Sequence, residues 1–392
     1  RRIMHLRGQV EPFAALICEH YPIGKFYLDE EIGLLRKLFK TAATRLICVY
    51  RDIVDDGDLA VADNEFFCIF GPPASGKTTL LKLWLGLQQP DSGRVLIDGK
   101  DMAGVPPGAR NLAMVFQNLA LFPHLTAREN IAFPLRERGV AAAEIERRVA
   151  DAARRLHIEP LLRKRPGQLS GGERQRVAIG RTLVRDPLAF FMDEPIAALD
   201  ARLREEMRVE LKRLQRELNH TLVYVTHDQE EAMSVADRMA ILRAGRIAQV
   251  GTPRAVYDFP VDRYVAELVG SPPMNFVMGR LDGGVFRDPE NLVVLPVDPG
   301  LPDGPVELGL RPEDLRLAAP GPQAWSGTVD EVEPLGAVTL VDVLVGATLL
   351  RVEVPGQPGI VVGQPQALQA SGTACHLFRP GDGRAIWPPR PD

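Results

Sequence analysis

The sequence has few cysteines, no long apolar run and no strong excess of charge. Its four cysteines are scattered through 392 residues without a Cys-x-x-Cys pair, which argues against a disulfide framework and a zinc site and fits a reducing cytoplasm. No apolar run approaches the roughly 18 residues of a membrane span. The net charge of −4 gives no electrostatic reason to expect nucleic acid as a partner. We therefore expect a globular protein that meets a membrane only through another protein.

Apolar runs and helical stretches alternate between about residues 46 and 240, which predicts an α/β domain with a buried parallel sheet. Residues 126–162 are strongly helical in pattern. A chain of 392 residues is also long enough to form two or more domains with separate cores. The strand-like runs of this part are Phe66–Phe70, Val95–Ile97, Leu112–Phe116, Leu188–Met192, Leu222–Val225 and Arg238–Leu242.

Glycine and proline become frequent after about residue 245, where short β-rich runs replace most helices. This texture predicts a second, mostly β domain with barrel-like strand lengths. We place the domain boundary at the turn-rich joint 270–273, so the predicted domains are 1–45 (an N-terminal extension with one amphipathic helix near 29–43), 46–269 and 270–392. The β-rich runs are Asn291–Leu295, Val306–Leu310, Val338–Val345 and Thr348–Val354.

One glycine-rich loop satisfies the pattern G-x-x-x-x-G-K-[ST] and lies between an apolar strand and a helical run. Such a loop aims backbone N–H groups and the positive end of a helix dipole at one point, where polyphosphate is the natural occupant. Lys77 is expected to reach the outer phosphates and Thr78 to ligate Mg2+ through its hydroxyl. We call it the phosphate loop; its residues are Gly71, Pro72, Pro73, Ala74, Ser75, Gly76, Lys77, Thr78 and Thr79.

Two carboxylates follow the apolar run Leu188–Met192. At the end of a buried strand beside a phosphate loop, the first carboxylate can hold the Mg2+ shell, and the second can deprotonate an attacking water. We assign the metal role to Asp193 and the base role to Glu194. An apolar run that ends in Asp-Glu is weak evidence alone, and the phosphate loop upstream gives it weight.

A second glycine-rich turn opens a helix at Ser170-Gly171-Gly172. Its backbone N–H groups suit an anion, although an ordinary Ser-Gly-Gly helix cap has the same sequence. A second phosphate cradle in one domain is redundant unless it serves a nucleotide held by another subunit.

These motifs together resemble those of the ATP-binding-cassette (ABC) ATPases over most of residues 60–240. Leu-Ser-Gly-Gly-Glu-Arg-Gln at 169–175 is similar to the family signature. The resemblance implies that Gln117 joins the metal and the attacking water to a transmembrane partner, and that His227 contacts the γ-phosphate. It also implies that the loop ending at Asp200 crosses a dimer, and that a helical subdomain covers about 118–165.

The resemblance implies a mechanism and partners. Two ATPase subunits face each other head to tail, and each ATP lies between the phosphate loop of one and the 170–172 turn of the other, so that both sides stabilise the phosphoryl charge. Two transmembrane permease subunits convert closure and opening into transport, and a solute-binding protein delivers the solute. The expected location is therefore the cytoplasmic face of the membrane.

The region after the ATPase core resembles importer ATPases that end in a regulatory domain of small oligonucleotide/oligosaccharide-binding (OB)-type barrels, also called a TOBE-like domain. Ser271-Pro272-Pro273-Met274-Asn275 looks most like the carbohydrate and glycerol-phosphate uptake group. Polyamine, iron and sulfate ATPases share parts of this layout and remain alternatives. An ABC ATPase of DNA repair or translation is a further alternative, but the chain has neither a long coiled-coil insert nor a second cassette. A scaffold subunit that hydrolyses ATP poorly is a third, against which Glu194 and His227 argue.

Two of the chain's departures from the family pattern concern the nucleotide site. The phosphate loop has Pro-Pro-Ala-Ser at 72–75, where the group usually has Pro-Ser-Gly-Cys or similar. The first strands and the adenine-stacking aromatic of the family are expected between about 44 and 60, where Tyr50 is our candidate for stacking on adenine.

Overall fold

A computed structural model describes residues 13–15, 17–18 and 59–388, except for 92, 117, 198 and 299. The chain divides into two compact units, Arg1–Pro253 and Arg254–Asp392. Each unit has its own hydrophobic core. Among the described helices, none is both long and apolar enough to cross a membrane.

The first unit is built on a six-stranded sheet. Its described strands are β1 (Phe13–Ala15), β2 (Ile17–Cys18), β3 (Val61–Ala62), β4 (Phe66–Phe70), β5 (Arg94–Ile97), β6 (Lys100–Asp101), β7 (Leu112–Val115), β8 (Ala189–Asp193), β9 (Thr221–Thr226), β10 (Arg238–Arg243) and β11 (Arg246–Gly251). Six of them form the order β11-β10-β4-β9-β8-β7. The strands from β10 to β7 run parallel, and β11 runs antiparallel to β10. The loops after β4, β7, β8 and β9 therefore leave the sheet at one edge, where α/β proteins bind ligands.

The predicted α/β sheet is confirmed. Strand β4 has the predicted bounds, and all five of its residues are buried, as expected of a central strand with parallel neighbours at both edges. The other predicted strands of this unit differ from the observed ones by one residue at one or both ends. Continuous apolar runs of this length are typical of central strands, which is why the pattern was sufficient here.

Six helices of the first unit connect or flank these strands in the described ranges: α1 (Lys77–Leu85), α2 (Ala127–Arg136), α3 (Ala142–Arg155), α4 (Gly171–Leu183), α5 (Ala201–Leu218) and α6 (Gln229–Val235). Helices α2 and α3 occupy the stretch predicted to be helical. A capping box opens α2, because the Thr126 hydroxyl accepts from Glu129 N–H while the Glu129 carboxylate accepts from Thr126 N–H. Buried residues such as Ile131, Ile145 and Val149 form the inner faces of the two helices.

Two short strands lie within the first 45 residues, where the sequence showed no strand pattern. Strand β1 pairs antiparallel with β3, and β2 pairs antiparallel with β5. Runs of three and two residues are too short to show a period of two, so only the pairing reveals them. The helix predicted near 29–43, residues 44–58 and Tyr50 lie outside the described residues.

The second unit is mostly β, as predicted. Two short helices, α7 (Pro253–Asp258) and α8 (Arg263–Leu268), precede β12 (Asn275–Asp282), β13 (Val285–Arg287), β14 (Val294–Pro296), β15 (Gly304–Leu310), β16 (Arg316–Ala318), β17 (Trp325–Pro334), β18 (Val338–Val345), β19 (Thr348–Pro355), β20 (Pro365–Gln369), β21 (Cys375–Phe378) and β22 (Ala385–Trp387). They form antiparallel sheets in the orders β14-β13-β12-β15-β21-β22 and β16-β20-β17-β18-β19. Buried residues of both sheets share one core. This is the arrangement expected of small OB-like barrels.

Residues 254–269 belong with the β unit in the structure, although the sequence places the boundary at 270. The backbone explains the grouping: Arg263 N–H donates to Gly383 O, and Ala385 N–H donates to Val261 O, 2.8 and 3.0 Å away. The Arg311 guanidinium also donates to Val269 O at 2.6 Å. The boundary at 269/270 stays a prediction.

Candidate nucleotide site

The phosphate loop joins the buried strand β4 to helix α1. Gly76 stands at the N-cap position with φ of 104°, a left-handed conformation that glycine adopts without steric cost. Within the described part of the chain, no side chain caps this helix. The N–H groups of its first turn are therefore available as donors to an anion.

The loop lies close against the end of β10. A Cβ at Gly71 would be 2.7 Å from Leu242 O, so any larger residue would displace this backbone. Gly245 N–H donates to Ser75 O at 2.9 Å and fixes the middle of the loop. The Ser75 hydroxyl itself is buried without a hydrogen-bond partner among the described residues. Pro73 and Ala74 are exposed, with Ala74 at φ of 62°.

Lys77 is buried, and its side chain folds back onto the loop. Its Nζ donates to Gly71 O at 2.8 Å and to Pro72 O at 2.9 Å. Burial lowers the pKa of this ammonium, while the carboxylates of Glu194 and Asp193 raise it. The ammonium of Lys77 therefore lies between the carbonyls of the loop and two acids.

Asp193 ends strand β8 and faces the start of α1. The Thr78 hydroxyl donates to Asp193 Oδ2 at 3.4 Å. Burial, followed by the negative charge of Glu194, raises the pKa of Asp193. A hydroxyl and a destabilised carboxylate on facing elements are oxygen ligands of the kind that Mg2+ prefers, so the two residues fit such an ion.

Glu194 and His227 meet at the ends of neighbouring strands. Glu194 Oε1 lies 2.9 Å from His227 Nδ1, and Glu194 N–H donates to Val225 O at 2.9 Å. The Glu194 side chain is 21% exposed and that of His227 47%. Glu194 has φ of 44°, an uncommon value for a residue other than glycine, and strained backbone of this kind concentrates at functional sites.

A buried carboxylate supports the loop of His227, and no sequence pattern indicated this role. Glu231 Oε2 accepts from the Tyr224 hydroxyl at 2.8 Å and from the Thr226 hydroxyl at 2.6 Å. Asp228 N–H donates to the same Thr226 oxygen at 2.9 Å, and Asp228 caps α6. Burial raises the pKa of Glu231. Its position in the first turn of a helix suggests a solvated acid, so only the fold reveals its role.

The 170–172 turn forms a separate group with helix α5. Ser170 caps α4 in a reciprocal box with Glu173. A Cβ at Gly171 would be 2.7 Å from Leu199 Cδ2, so glycine permits this close packing. Asp200 caps α5 by accepting from Leu203 N–H at 3.0 Å.

The structure therefore brings some predicted site residues together and leaves others apart. The phosphate loop, Asp193, Glu194 and His227 share one edge of the sheet. Within the described ranges, no hydrogen bond joins Ser170–Gly172 or Asp200 to the phosphate loop. Gln117 lies outside the described residues.

This parallel sheet, with a phosphate loop after a central strand, defines the class of P-loop nucleoside triphosphatases. Family models for an ABC transporter, the MalK OB fold domain and the TOBE domain match residues 54–197, 270–315 and 308–378. The chain belongs to the ATP-binding subunits of ABC transporters.

Its relatives include import proteins over nearly their full length. The sn-glycerol-3-phosphate import ATP-binding protein UgpC of Brucella abortus is 44% identical over 86% of this chain and 95% of its own. UgpC 1 of Rhizobium johnstonii is 42% identical over 85% and 92%. A solved structure, cbiO1 from Clostridium perfringens, part of the ABC transporter complex cbiONQ, covers 51% of this chain and 81% of its own with a TM-score of 0.48 and 30% identity.

Family membership establishes what the chain does in outline. It binds and hydrolyses ATP, and it is the energy-coupling subunit of an ABC importer with membrane permease partners. The predicted family, fold class and ATPase activity are confirmed, including the regulatory TOBE-type domain.

Proposed function

We propose that two copies of the chain close head to tail around two ATP molecules and drive uptake of glycerol-phosphate or a sugar at the cytoplasmic face of the membrane. The solute follows from the relatives named for sn-glycerol-3-phosphate import, which match nearly their full length. The 2.9 Å contact between Glu194 and His227 carries the catalytic part of the proposal. Two permease subunits and a solute-binding protein complete the assembly.

The phosphate loop binds the nucleotide. The uncapped first turn of α1 donates to phosphate oxygens, and Lys77 leaves Gly71 O and Pro72 O to pair with the outer phosphates. Thr78, Asp193 and Gln117 would hold Mg2+, which would neutralise charge on the phosphates. Tyr50 stacks on adenine.

Hydrolysis uses the pair Glu194 and His227. The Glu194 carboxylate takes a proton from water as the water oxygen attacks the γ-phosphorus and the bond to the ADP oxygen breaks. In the imidazolium form, in which both ring nitrogens carry a proton, His227 donates through Nδ1 to Glu194 and through Nε2 to the γ-phosphate. The hydrogen bond from Glu194 N–H to Val225 O, 2.9 Å long, helps to hold the left-handed backbone of Glu194 beside this strand.

The second copy completes the site. In the head-to-tail arrangement, Ser170–Gly172 of one copy approaches the γ-phosphate bound by the other, and Asp200 crosses the interface. Within one chain, no hydrogen bond of the described residues joins this turn to the phosphate loop, which supports this arrangement. A catalytic site that forms only on closure couples each hydrolysis event to opening of the dimer.

The change Glu194→Gln tests the proposal. We expect the turnover number to fall more than about 100-fold with ATP affinity retained, because the amide cannot accept the proton of water. The variant should also form an ATP-dependent dimer, measured by light scattering. Glu137→Gln, at the exposed end of α2, is the matched control and should behave as the wild type. Normal turnover by the Glu194 variant, or a monomer with ATP bound, contradicts the proposal.

The solute is tested with the complete importer in membrane vesicles. Uptake of labelled sn-glycerol 3-phosphate or of a sugar in an ATP-dependent manner supports the proposed class. Uptake of a polyamine, iron or sulfate instead would retain the importer mechanism and overturn the solute.

A further inference from the structure

The segment between β7 and α2 contains two consecutive residues with left-handed backbone. Leu119 has φ of 57° and Ala120 has φ of 45°. A Cβ in this conformation approaches the following carbonyl oxygen, so residues other than glycine rarely adopt it, least of all in succession. It persists only where surrounding groups fix the backbone. Local hydrogen bonds fix part of this backbone: Leu119 N–H donates to Phe116 O, and Ala120 N–H donates to Asn118 Oδ1.

Arg181, near the end of α4, holds the carbonyl groups of both residues. Its Nη2 donates to Leu119 O at 2.8 Å, and its Nη1 donates to Ala120 O. The guanidinium carbon also lies 5.9 Å from the centre of the Phe122 ring. The rigid fork of a guanidinium can fix two carbonyls at once, which the single ammonium of lysine does less well.

Helix α2 holds the other end of the same segment. The buried Asn130 amide accepts from Phe122 N–H at 2.8 Å and donates to the carbonyls of Phe122, Leu125 and Thr126 at 3.0 to 3.2 Å. A Cβ at Gly180, next to Arg181, would be 3.2 Å from Ile131 Cδ1, so α4 and α2 are in tight contact here. Residues 118–126 are therefore fixed to both helices.

We propose that Arg181 is a positioning residue that fixes the segment directly after Gln117 to the helix that begins at Ser170. This inference rests on the proposed roles of Gln117 and Ser170. Arg181 comes eleven positions after Ser170, which is roughly 16 Å along the helix axis. When the 170–172 turn meets the partner's nucleotide, α4 carries Arg181 and the backbone of Leu119 and Ala120 with it, so that Gln117 is placed together with the closing interface.

The first test compares Arg181→Gln and Arg181→Lys in the full-length protein. We expect Arg181→Gln to lower kcat about 10-fold with the Kd for ATP within about 2-fold of the wild type, since the phosphate loop is not touched. Arg181→Lys should retain more of the kcat than Arg181→Gln does. Arg154→Gln, on the exposed side of α3, is the matched control and should leave both constants unchanged.

A second variant separates positioning from general stability. Ala120→Val places a β-branched side chain where φ is positive and should lower kcat about as much as Arg181→Gln does. If both act through the same backbone, the double variant should be no slower than the slower single variant.

Three results would overturn the inference: normal kcat in Arg181→Gln, equal losses of kcat and ATP affinity, or losses that multiply in the double variant. The wild type and Glu194→Gln are measured in the same series. If the wild type is active and Glu194→Gln turns over normally, the proposed function fails. If Glu194→Gln is inactive and Arg181→Gln is normal, only the present inference fails.

Discussion

Helices α1 and α4 both begin after a glycine-rich turn, but the two turns leave their N-termini in different states. Helix α1 follows Gly76 and has no side-chain cap among the described residues. Helix α4 follows Ser170, which forms a capping box with Glu173. An uncapped N-terminus costs stability and offers donors to a ligand, whereas a capped one is satisfied by its own chain. The uncapped N-terminus of α1 suits tight binding of a ligand. The capped N-terminus of α4 suits a surface that contacts a ligand only after the ligand is bound elsewhere.

The glycines of the two turns also differ in purpose. Gly76 is required for its positive φ, and Gly71 for the close approach of Leu242 O. Gly171 and Gly172 have ordinary φ and instead make room for Leu199 and Met207. Similar sequences therefore produce an anion cradle in one place and a close helix contact in the other.

The uncapped helix is held at its opposite end. The Arg110 guanidinium donates to Leu83 O and Trp84 O, at 3.0 and 2.9 Å, and also to Val105 O and Met102 O. A cation at a helix C-terminus interacts favourably with the dipole and satisfies the last carbonyls. The hydrogen bonds of Arg110 thus compensate for the stability that α1 loses at its uncapped N-terminus.

The largest effect is expected at the open N-terminus. Lys77→Met should lower ATP hydrolysis by about 1,000-fold, since a buried cation that meets the phosphates is worth roughly 4 kcal/mol of transition-state stabilisation. ATP affinity should fall as well, measured by titration with a fluorescent nucleotide. Lys82→Met, one turn further along α1 and exposed, is the control and should bind normally. Unchanged ATP affinity in Lys77→Met contradicts the assignment of the phosphate loop as the primary binding site.

The next effect concerns stability. Arg110→Met should lower the free energy of unfolding by about 3 kcal/mol, because four backbone carbonyls lose a buried donor. Chemical denaturation of the nucleotide-free protein measures this. Arg136→Met, at an exposed position, should change it by less than about 0.5 kcal/mol. Equal stabilities of the two variants would show that the C-terminus of α1 does not depend on Arg110.

Substitution of Ser170 in the capped turn should affect hydrolysis and ATP affinity differently from substitution of Lys77. Ser170→Asp retains an N-cap residue, so stability should be unchanged, but it places a negative charge where the partner's phosphates approach. We expect hydrolysis to fall about 30-fold and the ATP affinity of the isolated chain to remain within about 2-fold. Ser170→Asn caps equally well without charge and should retain more of the activity. Loss of ATP affinity in Ser170→Asp contradicts the proposal that the turn acts only on the partner's nucleotide.

The sequence predicted the structural features that depend on residues close together along the chain. Strand β4, the phosphate loop and the carboxylates after β8 follow from apolar runs and adjacent motif residues. Pairing of β1 and β2, the four-carbonyl role of Arg110 and the burial of Glu231 depend on residues distant in sequence, which no local pattern encodes. The expected boundary at 269/270 followed a turn-rich joint, whereas the hydrogen bonds of Arg263 group residues before it with the β unit.

The smallest effect isolates strain in the phosphate loop itself. Ala74 has φ of 62° at the place where the family pattern has glycine, so its Cβ is sterically disfavoured by roughly 1–2 kcal/mol. Ala74→Gly removes this strain but gives the unfolded chain more freedom, worth about 0.5–1 kcal/mol. We therefore expect a net gain of about 0.5 kcal/mol in the free energy of unfolding. Ala143→Gly, at an exposed position inside α3, should lose about 0.5–1 kcal/mol by the same measurement. The two substitutions should change the free energy of unfolding in opposite directions, because a glycine relieves the left-handed backbone of the loop at position 74 and only weakens the helix at position 143.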